Sequence, residues 1–272
     1  MANVRLVTDS STCLPAVLVE QLAIRVVPVT VHLPGADRVD GTDHLSGRIS
    51  EAVERDQFVR SSHPFITDYL AAIEEADADE VVIVTPAMEF AGMYRNASLA
   101  TELAARSAVT IDSRTAAAGQ ALVVLCGAEA AAGGASLDEV VRVVEDASRR
   151  VDLVASLETL VPIRRSRRVP APALRVAELE GMRSVFRMRS GVVEPLGSTS
   201  TTDQSLETIA KEWSAATNGT PEKATVFHAD CPELAERLRS LLGSVDFVSG
   251  FSAAMQIHTG QGVVGAAWLP RV

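Results

Sequence analysis

The chain has 272 residues, of which 47% are hydrophobic and 22% charged, and it carries a formal net charge of −10. That length predicts two domains, and the composition excludes disordered and collagen-like chains. The acidic excess lies in residues 1–150, with 12 basic and 22 acidic side chains against 13 of each in residues 151–272. Nucleic-acid affinity depends on neutralising phosphates, so no nucleic-acid partner is expected for the chain as a whole.

The start of the chain, Met1-Ala2-Asn3-Val4-Arg5, leads into a strand-like run at Val4–Val7 without the apolar core of a signal peptide. A turn follows at Thr8-Asp9-Ser10-Ser11-Thr12. Leu14–Leu22 reads as a helix with Pro15 in its first turn. Ile24–Leu33 reads as one extended segment and Gly35–Asp40 as a turn. Ile49–Arg55 and Thr67–Ala76 have helical spacing, the second opened by Thr67. Val81–Val84 is a short, wholly apolar run, the pattern of a parallel strand covered on both faces. Helix 92–106, strand Ala108–Ile111 and the Ala-rich helix 115–132 come next, and Ser136 caps a helix over Leu137–Arg150. Residues 116–135 form the most apolar stretch, but Gln120, Glu129 and four glycines interrupt it, so no membrane span is expected. Strands alternating with helices predict an α/β fold with a mainly parallel wound sheet.

The pattern changes near residue 150, which predicts an N-terminal α/β domain over 1–150 and a C-terminal α/β domain over 151–272. Val151–Leu157 is extended, and 158–175 is rich in Arg and Pro. Ser184–Met188 and Val192–Leu196 flank Arg189-Ser190-Gly191 as a hairpin. A helix over Thr202–Thr217, a strand over Ala224–His228 and a helix over 232–242 follow. Two extended tracts ending at Val263–Trp268 close the chain.

Several constellations have both a chemical and an ordinary reading. Gly260-Gln261-Gly262-Val263-Val264-Gly265 matches G-x-G-x-x-G, but too few residues follow for the helix and acidic partner of a dinucleotide site. A glycine turn beside His258 is the better account. Thr8–Thr12 follows the first strand, where open α/β sheets bind ligands, and Ser61-Ser62-His63-Pro64 precedes a helix that could hold an anion. Both are also ordinary turn and cap sequences. A Ser62–His258–Asp9 triad lacks the G-x-S-x-G elbow that would support it. Arg164-Arg165-Ser166-Arg167-Arg168 reads either as a solvated basic loop or as a carboxylate or phosphate site. Cys13, Cys126 and Cys231 are too scattered for a disulfide framework or a thiolate zinc site, which points to a reducing cytoplasmic setting.

Taken in order, these segments resemble the DegV family of bacterial fatty-acid-binding proteins. Thr8-Asp9-Ser10-Ser11-Thr12-Cys13-Leu14-Pro15 is similar to the opening D-S-T-x-x-x-P, and Ser61-Ser62-His63-Pro64 to T-S-Q-P. Ala91-Gly92-Met93-Tyr94 with Asn96-Ala97 is similar to S-G-T-Y-x-S-A. Ile111-Asp112-Ser113, His228-Ala229-Asp230 and the segment from His258 to Gly265 complete the set.

The resemblance implies two α/β-type domains with a long-chain fatty acid in a tunnel between them. It further implies no catalysis by the chain itself, no cofactor, and presentation of the bound acid to a separate fatty acid kinase. Carried over by position, the lipid carboxylate would meet Ser61, Ser62, Ala91, Gly92, Asp9, Ser10 and His258. Ala91 replaces the family serine and loses a hydroxyl. Arg165 and Arg168 would face the partner or its phosphate, and a second family arginine falls on Ser200. Two alternatives stand beside this: a related chain binding another apolar carboxylate, and a small hydrolase or phosphotransferase using Asp9, Ser10 and His258.

Overall fold

The computed structural model describes residues 3–41, 45–55, 57–166 and 182–271. Three sheets organise these residues.

In the first half, β1 (Val4–Asp9) leads through a 3₁₀ turn (Ser10–Thr12) to α1 (Ala16–Gln21), β2 (Arg25–Val27), β3 (Thr30–Leu33), β4 (Ala36–Val39) and α2 (Leu45–Glu54). Next come β5 (Arg60–Ser62), α3 (Ile66–Glu74), β6 (Glu80–Thr85), α4 (Met93–Leu103), β7 (Ser107–Asp112), α5 (Ala117–Ala132) and α6 (Leu137–Arg150). The first sheet has the order β2-β1-β6-β7 and is parallel throughout. Residues Val81–Val84 of β6 are fully buried, as their unbroken apolar run predicts. Ser136 caps α6, and its amide and hydroxyl both donate to Glu139 at 2.9 and 2.8 Å.

The segment expected to be one extended run, Ile24–Leu33, belongs to two sheets. Pro28 has no N–H to continue the β2 ladder, and the chain re-enters as β3 in an antiparallel sheet of order β4-β3-β5. The turn expected over Gly35–Asp40 is shorter. Leu33 pairs with Ala36, so Pro34-Gly35 make the turn and Ala36–Val39 returns as β4. The Ser61-Ser62 pair, expected in a loop, lies on β5, which pairs with β3. Thr67 does not open α3. The helix begins at Ile66, and the Asp68 carboxylate accepts from the Phe65 amide at 2.7 Å.

The second half contains β8 (Asp152–Leu157), α7 (Val161–Ser166), β9 (Arg183–Arg189), β10 (Val192–Thr199), α8 (Thr202–Thr217) and β11 (Lys223–His228). It ends with α9 (Pro232–Leu242), β12 (Phe247–Gly250), α10 (Ala253–Thr259) and β13 (Val264–Leu269). Its six-stranded sheet has the order β10-β9-β8-β13-β11-β12, antiparallel except where β12 joins β11. The closing region, expected to be extended, contains helix α10. Ser252 opens it by accepting from the Met255 amide, at 3.4 Å.

Residue alternation gives this sheet two apolar faces. Val154, Val185, Val226 and Trp268 pack with Leu206, Ile209 and Trp213 of α8 and Leu238 of α9. Leu153, Ala155, Phe186 and Phe227 face the other way and join one cluster with Leu6, Leu122 and Val144 of the first half. Helix α5 is the shared element. Twelve of its sixteen residues are buried, because it packs against β1 on one side and β11 and β13 on the other. The apolar seam between the two halves is where the cavity lies.

Candidate ligand site

The cavity has a volume of about 170 Å³. Its floor is the α5-facing side of the second sheet, with Leu153, Ala155 and Leu157 of β8 beside Phe186 and Met188 of β9. Phe90 from the β6–α4 connection, Met93 at the start of α4 and Met255 of α10 add to the walls. Phe227 and Phe251 stack face to face, with ring centroids 5.2 Å apart. Arg187 also borders the cavity, yet its guanidinium reaches toward α8. It pairs with Glu212 at 2.7 Å and with Asp152 at 3.3 Å. The interior is therefore suited to a hydrocarbon chain rather than to a charged group.

Besides Arg187, the wall carries the polar side chains of Ser11, Ser61, His258 and Thr259. Ser61 on β5 and His258 on α10 meet across the cavity wall, with Oγ 2.7 Å from Nε2. Ala91 lines the same cavity and brings no hydroxyl. The Thr259 hydroxyl also borders it, but donates back to the Met255 carbonyl at 3.0 Å. The Ser61–His258 pair is thus a donor–acceptor pair that two distant elements bring together at the cavity wall.

The other residues expected at the head group lie around this point rather than on the cavity wall. Asp9 is fully buried. Its carboxylate accepts from the Ser11 amide at 3.0 Å, from the Ser11 hydroxyl and from Gln120 Nε2 at 3.0 Å. Burial raises its pKa above the usual aspartate value, with these hydrogen bonds pulling the other way. The Ser10 hydroxyl donates to Asp40 at 2.6 Å and accepts from the Val29 amide at 3.0 Å. Ser62 points to the opposite face of its strand, where its hydroxyl lies 2.6 Å from His32 Nε2. Gly92 precedes α4 and lies beside the His63 ring. Arg165 is exposed near the end of α7, and Arg168 lies outside the described residues. Asp9, Ser10 and His258 therefore do not converge into one catalytic relay.

Asp40, which the sequence presented as a turn residue, proves to be a hub. It is 4% exposed, and its second oxygen accepts from the Ala254 amide at 3.0 Å. One carboxylate thus ties the 3₁₀ turn after β1 to the first turn of α10, the helix that carries His258. Cys13 is also nearby, its sulfur accepting from the Ser252 amide at 3.2 Å. Burial pushes that thiol up to about 12, so it stays protonated and is no nucleophile. Among the described residues, no group of three His, Cys, Asp or Glu could hold a metal ion.

The G-x-G-x-x-G run serves packing and turning. Gly260 and Gly262 adopt positive φ in the turn between α10 and β13. Gly265 lies within β13, where a Cβ would come within 2.4 Å of Phe227 Cζ and 2.6 Å of the Val154 carbonyl. Only glycine lets these strands and the Phe227 ring approach so closely.

The family model described as "Uncharacterised protein, DegV family" matches residues 3–271. The chain belongs to the DegV family. A DegV domain-containing protein of Streptomyces coelicolor is 27% identical, over 97% of each chain. Among solved structures, a DegV family protein from Thermus thermophilus described by its fatty acid binding is 26% identical. It superposes with a TM-score of 0.91 over 99% of this chain and all of its own. A DegV family protein from Eubacterium eligens, loaded with heptadecanoic acid, shares the fold with a TM-score of 0.87 at 18% identity. That match covers 98% of this chain and all of the other. The mixed α/β architecture expected from the sequence is thus the DegV architecture.

Proposed function

We propose that this chain binds a long-chain fatty acid, or a closely similar apolar carboxylate, and catalyses nothing at that site. The carboxylate sits at the Ser61–His258 end and the acyl chain fills the cavity between the two sheets. The observation that carries this reading is a largely apolar cavity with one serine–histidine pair on its wall. The apolar wall provides affinity, since each buried methylene contributes about 0.8 kcal/mol, and the polar pair sets orientation. The fatty acid binding of the Thermus thermophilus relative supports the same ligand class. The division near residue 150 separates the two units that meet at this ligand.

Presentation of the acid to a separate kinase is the second part of the proposal. Helix α7 packs against α10, so exposed Arg165 lies on the element next to the one carrying His258. Arg168 follows shortly after it in the chain. A guanidinium there would meet a phosphate or an acidic partner surface.

Native mass spectrometry of the purified protein, followed by solvent extraction, tests the ligand. One fatty acid per chain is the expected result. Protein that carries no lipid, and whose melting temperature no added fatty acid raises, overturns the reading. For the partner, the acid-loaded protein is incubated with a fatty acid kinase and ATP. Formation of acyl phosphate, reduced in Arg165→Ala, is expected; no acyl phosphate would leave the chain a carrier alone.

A further inference from the structure

A second serine–histidine pair lies back to back with the first. On β3, His32 stands opposite Asp37 of β4 and Arg60 of β5, while Thr30 stands opposite Ser62. Asp37, His32, Arg60 and Ser62 therefore share the face of this small sheet that points away from Ser61. His32 Nδ1 is 2.6 Å from Asp37 Oδ1, and His32 Nε2 is 2.6 Å from the Ser62 hydroxyl.

The direction of this chain follows from the tautomer. With Asp37 ionised and Nδ1 carrying the proton that faces it, Nε2 of the neutral imidazole accepts and the Ser62 hydroxyl donates to it. An acid orients the histidine, and the histidine is placed to take the serine proton. That is the order of roles in a serine nucleophile relay, which is recognised by geometry rather than by sequence position. His32 is sheltered, its side chain 19% exposed, whereas Asp37 is 69% exposed. Phe58 and Phe65, 80% and 66% exposed, flank β5 in the chain on either side. Arg60 adds a positive charge to the same face, the sign that stabilises a developing oxyanion.

We propose that Asp37, His32 and Ser62 form a second site, distinct from the lipid cavity, that cleaves small carboxylic esters. Ser62 Oγ forms a bond to the ester carbonyl carbon while its proton passes to His32 Nε2. The carbon–oxygen bond to the leaving alcohol breaks, and His32 returns the proton to that oxygen. Water then attacks the acyl-serine, His32 takes a proton from it, and the carboxylic acid leaves as Ser62 is restored.

The test uses the full chain with p-nitrophenyl butyrate as substrate and a fluorophosphonate as covalent probe, the labelled residue being located by peptide mass mapping. The probe should attach to Ser62. Ser62→Ala should abolish labelling, and both it and His32→Gln should lower the rate about 100-fold, the lower end of what a positioned base contributes. Asp37→Asn should cost less, about 10-fold, because an exposed carboxylate is screened by solvent. Thermal melts confirm that each variant is folded. If Ser62→Ala does not fold, the mapped label on the unmodified chain and the His32→Gln rate decide the matter. Labelling elsewhere, or a wild-type rate no higher than that of folded Ser62→Ala or His32→Gln, overturns the proposal.

Discussion

Ser61 and His258 are 197 positions apart in the chain and 2.7 Å apart in space. One comes from the edge strand of the small sheet and the other from the last helix, so their meeting depends on both halves being in place. If this pair holds a carboxylate, Ser61→Ala and His258→Ala should each weaken fatty acid binding by about 0.5–1.5 kcal/mol, the net worth of one hydrogen bond. Because the two side chains contact each other, the double variant should lose less than the sum of the two. Titration calorimetry with oleic acid measures all three. Unchanged affinity in both single variants would place the head group elsewhere.

Ala91 is buried on the cavity wall. Ala91→Ser adds a hydroxyl where the carboxylate is proposed to lie, and should tighten binding by about 0.5–1.5 kcal/mol. The same calorimetric titration reads this as a roughly tenfold lower Kd at most, since about 1.4 kcal/mol is a factor of ten. Weaker binding would mean that the hydroxyl is buried without a partner.

Much of the frame was legible from sequence pattern alone. Val81–Val84 has the unbroken apolar run expected of a strand covered on both faces, and the Ser136–Glu139 cap marks the start of α6 by chemistry that needs no tertiary context. The antiparallel sheet was harder to see. Its strands have three or four residues each, too few for an alternation to show, and Pro28 is the sole local sign that Ile24–Leu33 is divided. Helix α10 has seven residues, about two turns and too short a window for a helical period to stand out, so the sequence shows only a glycine turn beside His258. The roles of Asp9, Ser10 and Asp40 come from contacts between distant segments. In sequence they look like turn residues, and only folding shows a buried hub. The resemblance pointed to Ser61 and His258 but could not show that Ser62 turns to the other face.

Asp40 should matter for the site without touching the cavity. Asp40→Ala removes the acceptor for the half-buried Ser10 hydroxyl and for the buried Ala254 amide, leaving both donors unpaired. A destabilisation of about 2–3 kcal/mol is expected, from lost hydrogen bonds and from removing a negative charge at the start of α10. Asp40→Asn keeps an acceptor and should recover part of it. Chemical denaturation gives the stabilities. If Asp40→Ala unfolds at the wild-type denaturant concentration, the hub is not holding these elements.

Asp9 sets a test by pH. Its pKa in the folded chain is raised, mainly by burial, so the folded state holds this proton more tightly than the unfolded state does. Stability then falls as pH rises, wherever the folded state binds more protons than the unfolded one. The fall from Asp9 begins near the ordinary aspartate value of 3.8 and ends at its raised folded value. Asp9→Asn cannot titrate and lacks this contribution. The stability of the variant relative to wild type should therefore increase as pH is raised through that window, and become constant above it. The absolute offset depends on a second effect, since the asparagine amide cannot accept both the Ser11 and the Gln120 hydrogen bonds. The slope is free of that offset, and denaturant melts from pH 3 upward, at intervals of about half a unit, measure it. A difference that stays flat across the whole range would mean that Asp9 titrates in the folded chain as it does in the unfolded one, and that its buried hydrogen bonds fully offset the cost of removing its charge from water.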